Sequence, residues 1–208
     1  MTNRMVVGGL GWLDHRVSSK GRRQRVTHPL QWARTAIGRG DTRARLAERV
    51  ATYLRQQLPE DHVVIALHAA RDGGARVPVV VIGRDRVVVI EPRDDEGDLL
   101  CYQDHWYRSE AGRLTETLSD PPSVRAHDNA ARVRNDLGTG GFLNVQIEPI
   151  VVLTRGKPDD VRSSSVPVIA GLDPLVRHIL SRRVSSTDRV RTLALAAALA
   201  RNITLTGV

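Results

Sequence analysis

Apolar residues recur along this chain in two rhythms, one of about four residues and one of two, and their succession predicts the order of the elements. Leu46, Val50, Tyr53 and Leu54 share one stripe at helical spacing, so a helix is predicted from the N-cap chemistry of Asp41 and Thr42 to Leu58, with Pro59 as its stop. The β-branched run His62 to Ala70, the turn signal Asp72-Gly73-Gly74, the run Val77 to Ile82, a turn at Gly83 to Asp85 and the run Val87 to Ile90 predict three short strands in a meander. A further strand or hairpin is expected over Leu99 to Arg108, after the acidic loop Asp94 to Asp98. Pro121 and Pro122 then open a helix that turns Val124, Ala126, Ala130, Val133 and Leu137 inward and ends at Gly138. Gln146 to Thr154 and Val166 to Ala170 are nearly continuous in apolar character, which predicts strands buried on both faces. Two closing helices follow, about Pro174 to Arg183 and about Asp188 to Asn202, capped by Asp173 and by Ser186 or Thr187.

This order of a helix, strands, a helix, two strands and two helices predicts an α/β fold, with a central mixed β-sheet flanked by helices. The domain is expected to span residues 41–208. Residues 1–40 are rich in Gly, Ser and Arg and lack sustained periodicity, with Trp12, Pro29 and Trp32 as isolated anchors, so they read as a partly irregular N-terminal arm. A chain of 208 residues has room for one good core and such an arm. Seven aromatic residues leave that core to Val, Leu, Ile and Ala and provide few platforms for base stacking.

Charge sharpens the division. The net charge is +8, and from Met1 to Arg45 there are ten Lys or Arg against two Asp, whereas the rest of the chain holds 21 basic and 21 acidic residues. A basic arm on a neutral body is the electrostatic footprint of a polyanion partner, nucleic acid first and an anionic membrane second; the alternative is a solvated leader in an Arg-biased sequence. Cys101 stands alone, which excludes an intrachain disulfide and a Cys-based zinc site and favours a reducing compartment, so a cytoplasmic location is expected. No apolar signal-peptide region is read, and the longest apolar run, near Thr192 to Ala200, is far shorter than the roughly 20 residues that span a bilayer. No membrane span is expected.

The early helix with Glu48, the strand-turn-strand ending Val-Val-Val-Ile-Glu-Pro-Arg from Val87 to Arg93, then Gly97, the hairpin around Trp106 and the Pro-led helix together resemble the nuclease-related domain, or NERD, family. The resemblance covers roughly residues 42–183. It implies a core similar to the restriction-endonuclease-like fold with its PD-(D/E)XK motif, in which carboxylates on two strands and the first helix hold a divalent metal while a Lys orients the attacking water. Glu48 and Glu91 match the two Glu positions. Pro78, between Val77 and Val79, falls where the family places its metal-binding Asp, Arg93 stands at the Lys position, and Arg125 replaces a Gln near the start of the Pro-led helix. A guanidinium stays protonated and cannot act as a base, but it can fork onto phosphate oxygens. The resemblance therefore implies a nuclease-like domain whose cutting chemistry is damaged.

Each candidate has a plainer reading. Glu91 reads as a surviving metal ligand or as a strand-end carboxylate paired with an Arg, Glu48 as a ligand or part of a solvated helix face, and Arg93 as a phosphate contact or an ion pair to Glu91 or Asp94. The Asp94 to Asp98 loop could supply a substitute carboxylate or be a solvated turn. His62 and His68 could share a strand face, but the His spacings make no convincing metal site, and His105 is placed in a turn. Ser163 to Ser165 lack a nucleophile elbow and a base nearby in sequence, and Gly138 to Gly141 lack the ending of a phosphate loop. In the arm, Arg16, Lys20, Arg22, Arg23 and Arg25 could neutralise several phosphates.

Three functions remain open. The first is a non-catalytic module that binds nucleic acid, DNA foremost, through Arg93, Arg125 and the arm, without a cofactor, as a component of a larger processing assembly. The second is an active Mg²⁺-dependent nuclease that uses Glu48, Glu91 and an acidic-loop residue. The third is a protein-interaction scaffold whose arm binds an acidic partner.

Overall fold

The structure is a computed structural model that describes residues 29–83, 86–110, 113–181 and 189–200, with side chains from Thr42 onward. Thirteen elements are described in the order α1 (Pro29–Gln57), β1 (Val63–His68), β2 (Val77–Ile82), β3 (Arg86–Arg93), β4 (Asp98–Tyr102), β5 (His105–Glu110), β6 (Arg113–Thr117), α2 (Pro122–Thr139), β7 (Gln146–Leu153), β8 (Lys157–Asp160), β9 (Val168–Ala170), α3 (Leu172–Ser181) and α4 (Arg189–Ala200). The α/β expectation holds. The strands form two mixed sheets, one of five strands in the order β1-β2-β3-β7-β9 and one of four in the order β6-β5-β4-β8.

In the larger sheet β1, β2 and β3 pair antiparallel, while β3, β7 and β9 pair parallel. The carboxyl ends of β1, β3, β7 and β9 therefore share one edge. Period-two alternation decides which helix each strand residue meets. Val79, Val81, Val88, Ile90, Ile150 and Val152 pack with Leu46, Val50 and Leu54 of α1 and Leu175 and Ile179 of α3. Val80, Ile82, Val87 and Val89 pack on the opposite side, against Ala130, Val133 and Leu137 of α2 and Leu195 and Leu199 of α4. The smaller sheet has its own core, where Leu99, Cys101 and Trp106 meet Ala126, Val151 and Leu153.

Several expectations need correction. The first helix begins at Pro29 rather than near Asp41, so it takes in the last part of the segment read as an arm. Pro at a first helical turn loses no intrahelical bond, and the glycines at 38 and 40 each cost only about 1 kcal/mol, so neither interrupts it. Val124 is exposed, and the polar Ser123 and Asn129 are buried in α2 instead. His105 opens β5 rather than sitting in a turn. β6 and β8 carry no expectation, because all five residues of β6 and most of β8 are exposed, leaving no apolar alternation to read. β3 runs on through Glu91, Pro92 and Arg93, and all eight of its residues are buried. Its pairing with β2 ends at Ile90 while its pairing with β7 continues to Arg93, so Pro92 occupies a stretch bonded on one side, where a missing N–H is tolerated.

Candidate functional site

The carboxyl end of β3 gathers the chemistry. Glu91 and Arg93, two residues apart, both point to the α2 side of the sheet. α2 begins there because Pro122 fixes the first helical turn, and its first inward turns bring Arg125 and Asn129 over Glu91. α1 reaches the same edge from the other side: Arg43 binds Asp120, whereas Arg55 reaches the Val64 carbonyl at the start of β1. α1 thus runs from the carboxyl edge to the amino edge, so its first described residues, 29–42, lie toward the carboxyl edge.

Glu91 is 1% exposed. Its Oε2 accepts a hydrogen bond from Asn129 Nδ2 at 3.0 Å, and its Oε1 lies 3.3 Å from Arg125 Nε, without hydrogen-bond alignment. Burial pushes the carboxyl above its ordinary range, although the charges of Arg125, Arg43 and Arg93 pull the other way. Arg93 forks onto Asp95, with Nε donating to Oδ2 at 2.7 Å and Nη2 to Oδ1 at 3.3 Å, and Nη1 donates to the Asp120 carbonyl at 3.2 Å. Burial alone would lower the Arg93 guanidinium, but its bonds to Asp95 and the charges of Asp95, Glu91 and Asp120 raise it.

Asp120 stands in the bend before α2 and is ringed by three guanidinium groups. It accepts a hydrogen bond from Arg43, lies 3.5 Å from Arg125 Nη1, and its Oδ2 lies 3.7 Å from Arg93 Nη1. Burial acts to raise its carboxyl, but the Arg43 bond and the charges of Arg125, Arg43 and Arg93 hold it below its ordinary value. Three arginines, Arg43, Arg93 and Arg125, are thus interleaved with three carboxylates, Glu91, Asp95 and Asp120.

The structure brings Glu91, Arg93 and Arg125 together. Glu48 is not among them: it is exposed on α1, across the sheet from the α2 face that holds Glu91. Arg93 pairs with Asp95, not with Asp94 or Glu91. Arg16, Lys20, Arg22, Arg23, Arg25 and Trp12 lie outside the described residues, as do the Ser186 and Thr187 caps. The antiparallel register that pairs Val79 with Ile90 sets Pro78 alongside Glu91, where it offers no ligand. Its other neighbour in register, Leu67, adopts a left-handed φ of 52°. In the acidic loop, Asp95 is engaged by Arg93 and also lies 3.6 Å from Arg108, and Glu96 is bonded to Arg155 at 3.0 Å.

These residues do not fit a divalent metal. Glu91 is shared between Asn129 and Arg125, a cation occupies the flank where a metal would sit, and no group of three or more His, Cys, Asp or Glu among the described residues could hold one. No step through Mg²⁺ follows from this arrangement.

Arg43, Asp120 and Asn129 escape sequence reasoning. Asn129 follows Arg125 by four residues on the Pro-led helix, which is a usable signal; Arg43 and Asp120 are 77 residues apart and give none. A second pairing is equally invisible in sequence. His127 Nε2 lies 2.9 Å from Ser165 Oγ, so the serine loop does have an imidazole beside it. Asp104 binds the Ser165 N–H at 2.9 Å, and hydroxyl bonds from Ser123 and Ser165 help hold its carboxyl below the ordinary value despite burial. The carboxylate thus engages the serines rather than orienting the imidazole, and the group anchors the loop onto β4–β5. His68 is fully buried and bonded to Asp136 at 2.7 Å, whereas His62 pairs with Asp61.

Fold and site together define an α/β protein with an arginine–carboxylate cluster at the carboxyl edge of its main sheet. Compared with protein-family models, with curated proteins and with solved structures, the chain gives no match. No helix among the described residues is long and apolar enough to cross a membrane.

Proposed function

We propose that the protein binds nucleic acid, DNA foremost, through a nuclease-like domain that no longer cuts. The observation that carries this reading is the convergence of Arg43, Arg93 and Arg125 at the carboxyl edge, toward which the start of α1 lies. The segment from Met1 to Arg45 carries the net positive charge of the protein. Long-range attraction to phosphate comes from it, and the cluster provides fixed guanidinium groups at the strand ends, where open α/β sheets bind ligands. The kinship to the nuclease-related family and the loss of cleavage are parts of the same proposal: Pro78, Arg93 and the capped Glu91 occupy the positions where hydrolysis would need an Asp, a Lys and a free carboxylate.

The test is titration of the full chain into labelled single-stranded and duplex DNA over a range of salt, with EDTA or with Mg²⁺ or Mn²⁺, scoring binding and cleavage together. Binding that weakens steeply with salt, survives EDTA and leaves the DNA intact is expected. Metal-dependent cutting that is lost in Glu91→Gln would make the protein a nuclease. Affinity no greater than that of an unrelated basic protein would leave the scaffold reading.

A further inference from the structure

We propose that Arg43, Arg93 and Arg125 form a binding site for one phosphodiester group of a polynucleotide backbone, and that Asp120 holds its place until the phosphate arrives. The proposal rests on the nucleic-acid reading and assigns its contacts.

Three guanidinium groups from three separate elements, α1, β3 and α2, converge on a single carboxylate. Carboxylate and phosphate present the same anionic oxygens to an arginine fork. Asp120 satisfies that fork poorly. Arg125 Nη1 is 3.5 Å from it and Arg93 Nη1 is 3.7 Å from its Oδ2, against roughly 2.7–2.9 Å for a good charge-assisted bond. Arg125 Nη1 splits its long bond between the two Asp120 carboxylate oxygens. A phosphate, with more oxygens in a tetrahedral array, would give each guanidinium its own oxygen at normal bonding distance.

Of the three acids, Asp120 is the one able to leave. Glu91 is enclosed beneath Asn129, and Asp95 is forked by Arg93, but the Asp120 side chain is 36% exposed and sits in an irregular bend. While Asp120 is in place the three arginines are balanced by three carboxylates, and Arg108 beside Asp95 is balanced by Glu116, so the cluster offers an incoming anion no net attraction. Once its side chain turns to solvent the cluster is +1, and a phosphodiester, with one negative charge, replaces it charge for charge. A phosphate monoester would bring a second charge beside buried Glu91. The site therefore favours backbone phosphate over free phosphate.

The experiment measures affinity of the full chain for a fluorescein-labelled single-stranded DNA in EDTA. Asp120→Asn is expected to tighten binding about tenfold, equivalent to ~1.4 kcal/mol. Glu60→Gln removes an equal charge from an exposed position beyond the far end of α1 and should change affinity less than about twofold at physiological salt, where distant charges are screened. Adding Arg125→Gln to Asp120→Asn should erase the gain, and inorganic phosphate should compete poorly. An unchanged Asp120→Asn, an equal gain in Glu60→Gln, or a gain that survives loss of Arg125 overturns the proposal; efficient competition by inorganic phosphate overturns the preference for backbone. If the unmodified chain binds and Asp120→Asn does not differ, this inference alone fails; if neither binds, the nucleic-acid reading fails with it. Asp120→Ser, also short and polar, repeats the test should the Asn variant not fold.

Discussion

Glu91 Oε2 accepts a hydrogen bond from Asn129 Nδ2 at 3.0 Å, which ties the end of β3 to the second turn of α2 and leaves a carboxyl group buried between a sheet and a helix. Because burial raises the native carboxyl above its ordinary value of 4.5, the folded protein holds this proton more tightly than the unfolded chain does. Stability associated with Glu91 is therefore full below pH 4.5 and is lost as pH rises through the raised native value. Glu91→Gln keeps an acceptor for Asn129 and removes the buried charge. Its urea-unfolding free energy at pH 7 should match or exceed that of the parent by up to ~1 kcal/mol, and its pH profile should lack this decline. A variant several kcal/mol weaker at pH 7 would mean that the Arg125 contact outweighs burial.

Asp120 has the opposite sign. Its carboxyl is held below the ordinary 3.8, so its contribution is present above that pH and is lost as pH falls through the lowered value. Both Arg43 and Asp120 are more than a third exposed, so solvent screening limits their coupling to about 1 kcal/mol or less. A double-mutant cycle with Arg43→Gln and Asp120→Asn, run at pH 7 and at successively lower pH, measures it. The coupling should shrink as pH falls below 3.8 through the lowered native value.

Arg125→Gln should weaken DNA binding to a similar extent for all sequences and shallow the salt dependence by about one unit of slope, as expected for the loss of a phosphate contact. Affinity measured against salt for two unrelated sequences checks this. A loss confined to one sequence would assign Arg125 to base recognition.

At the opposite edge of the sheet, Arg86 is 2% exposed, donates to Glu148 at 2.5 Å, and binds the carbonyls of His178 and Ile179 at the end of α3. Glu148→Ala would leave that cation buried and uncompensated, at a cost of about 3–5 kcal/mol. Chemical denaturation should show it as a lower midpoint with an unchanged slope. A loss below ~1 kcal/mol would mean that the two carbonyls suffice for Arg86.

The elements that bury a periodic apolar face were legible from residue order alone. The stripe Leu46, Val50 and Leu54, the runs Val77 to Ile82 and Gln146 to Leu153, and the Pro-led helix all appear where hydrophobic spacing demands them. β6 and β8 were illegible because pairing with neighbours, not burial, holds them. The start of α1 was misjudged because Asp41 and Thr42 are good caps that a longer helix can pass through.

The candidate site divides along the same line. The sequence by itself determined that Glu91 and Arg93 share one strand face, that Arg125 stands in the first turns of the Pro-led helix, and that the positive charge lies ahead of a neutral body. Only the tertiary structure decided that Arg43 and Asp120, 77 residues apart, meet at that strand end, that Asn129 covers Glu91, and that Glu48 faces away. Local spacing fixes which side chains share a face. Which faces meet depends on how helices cross the sheet, a choice made by core packing among residues that take no part in the site.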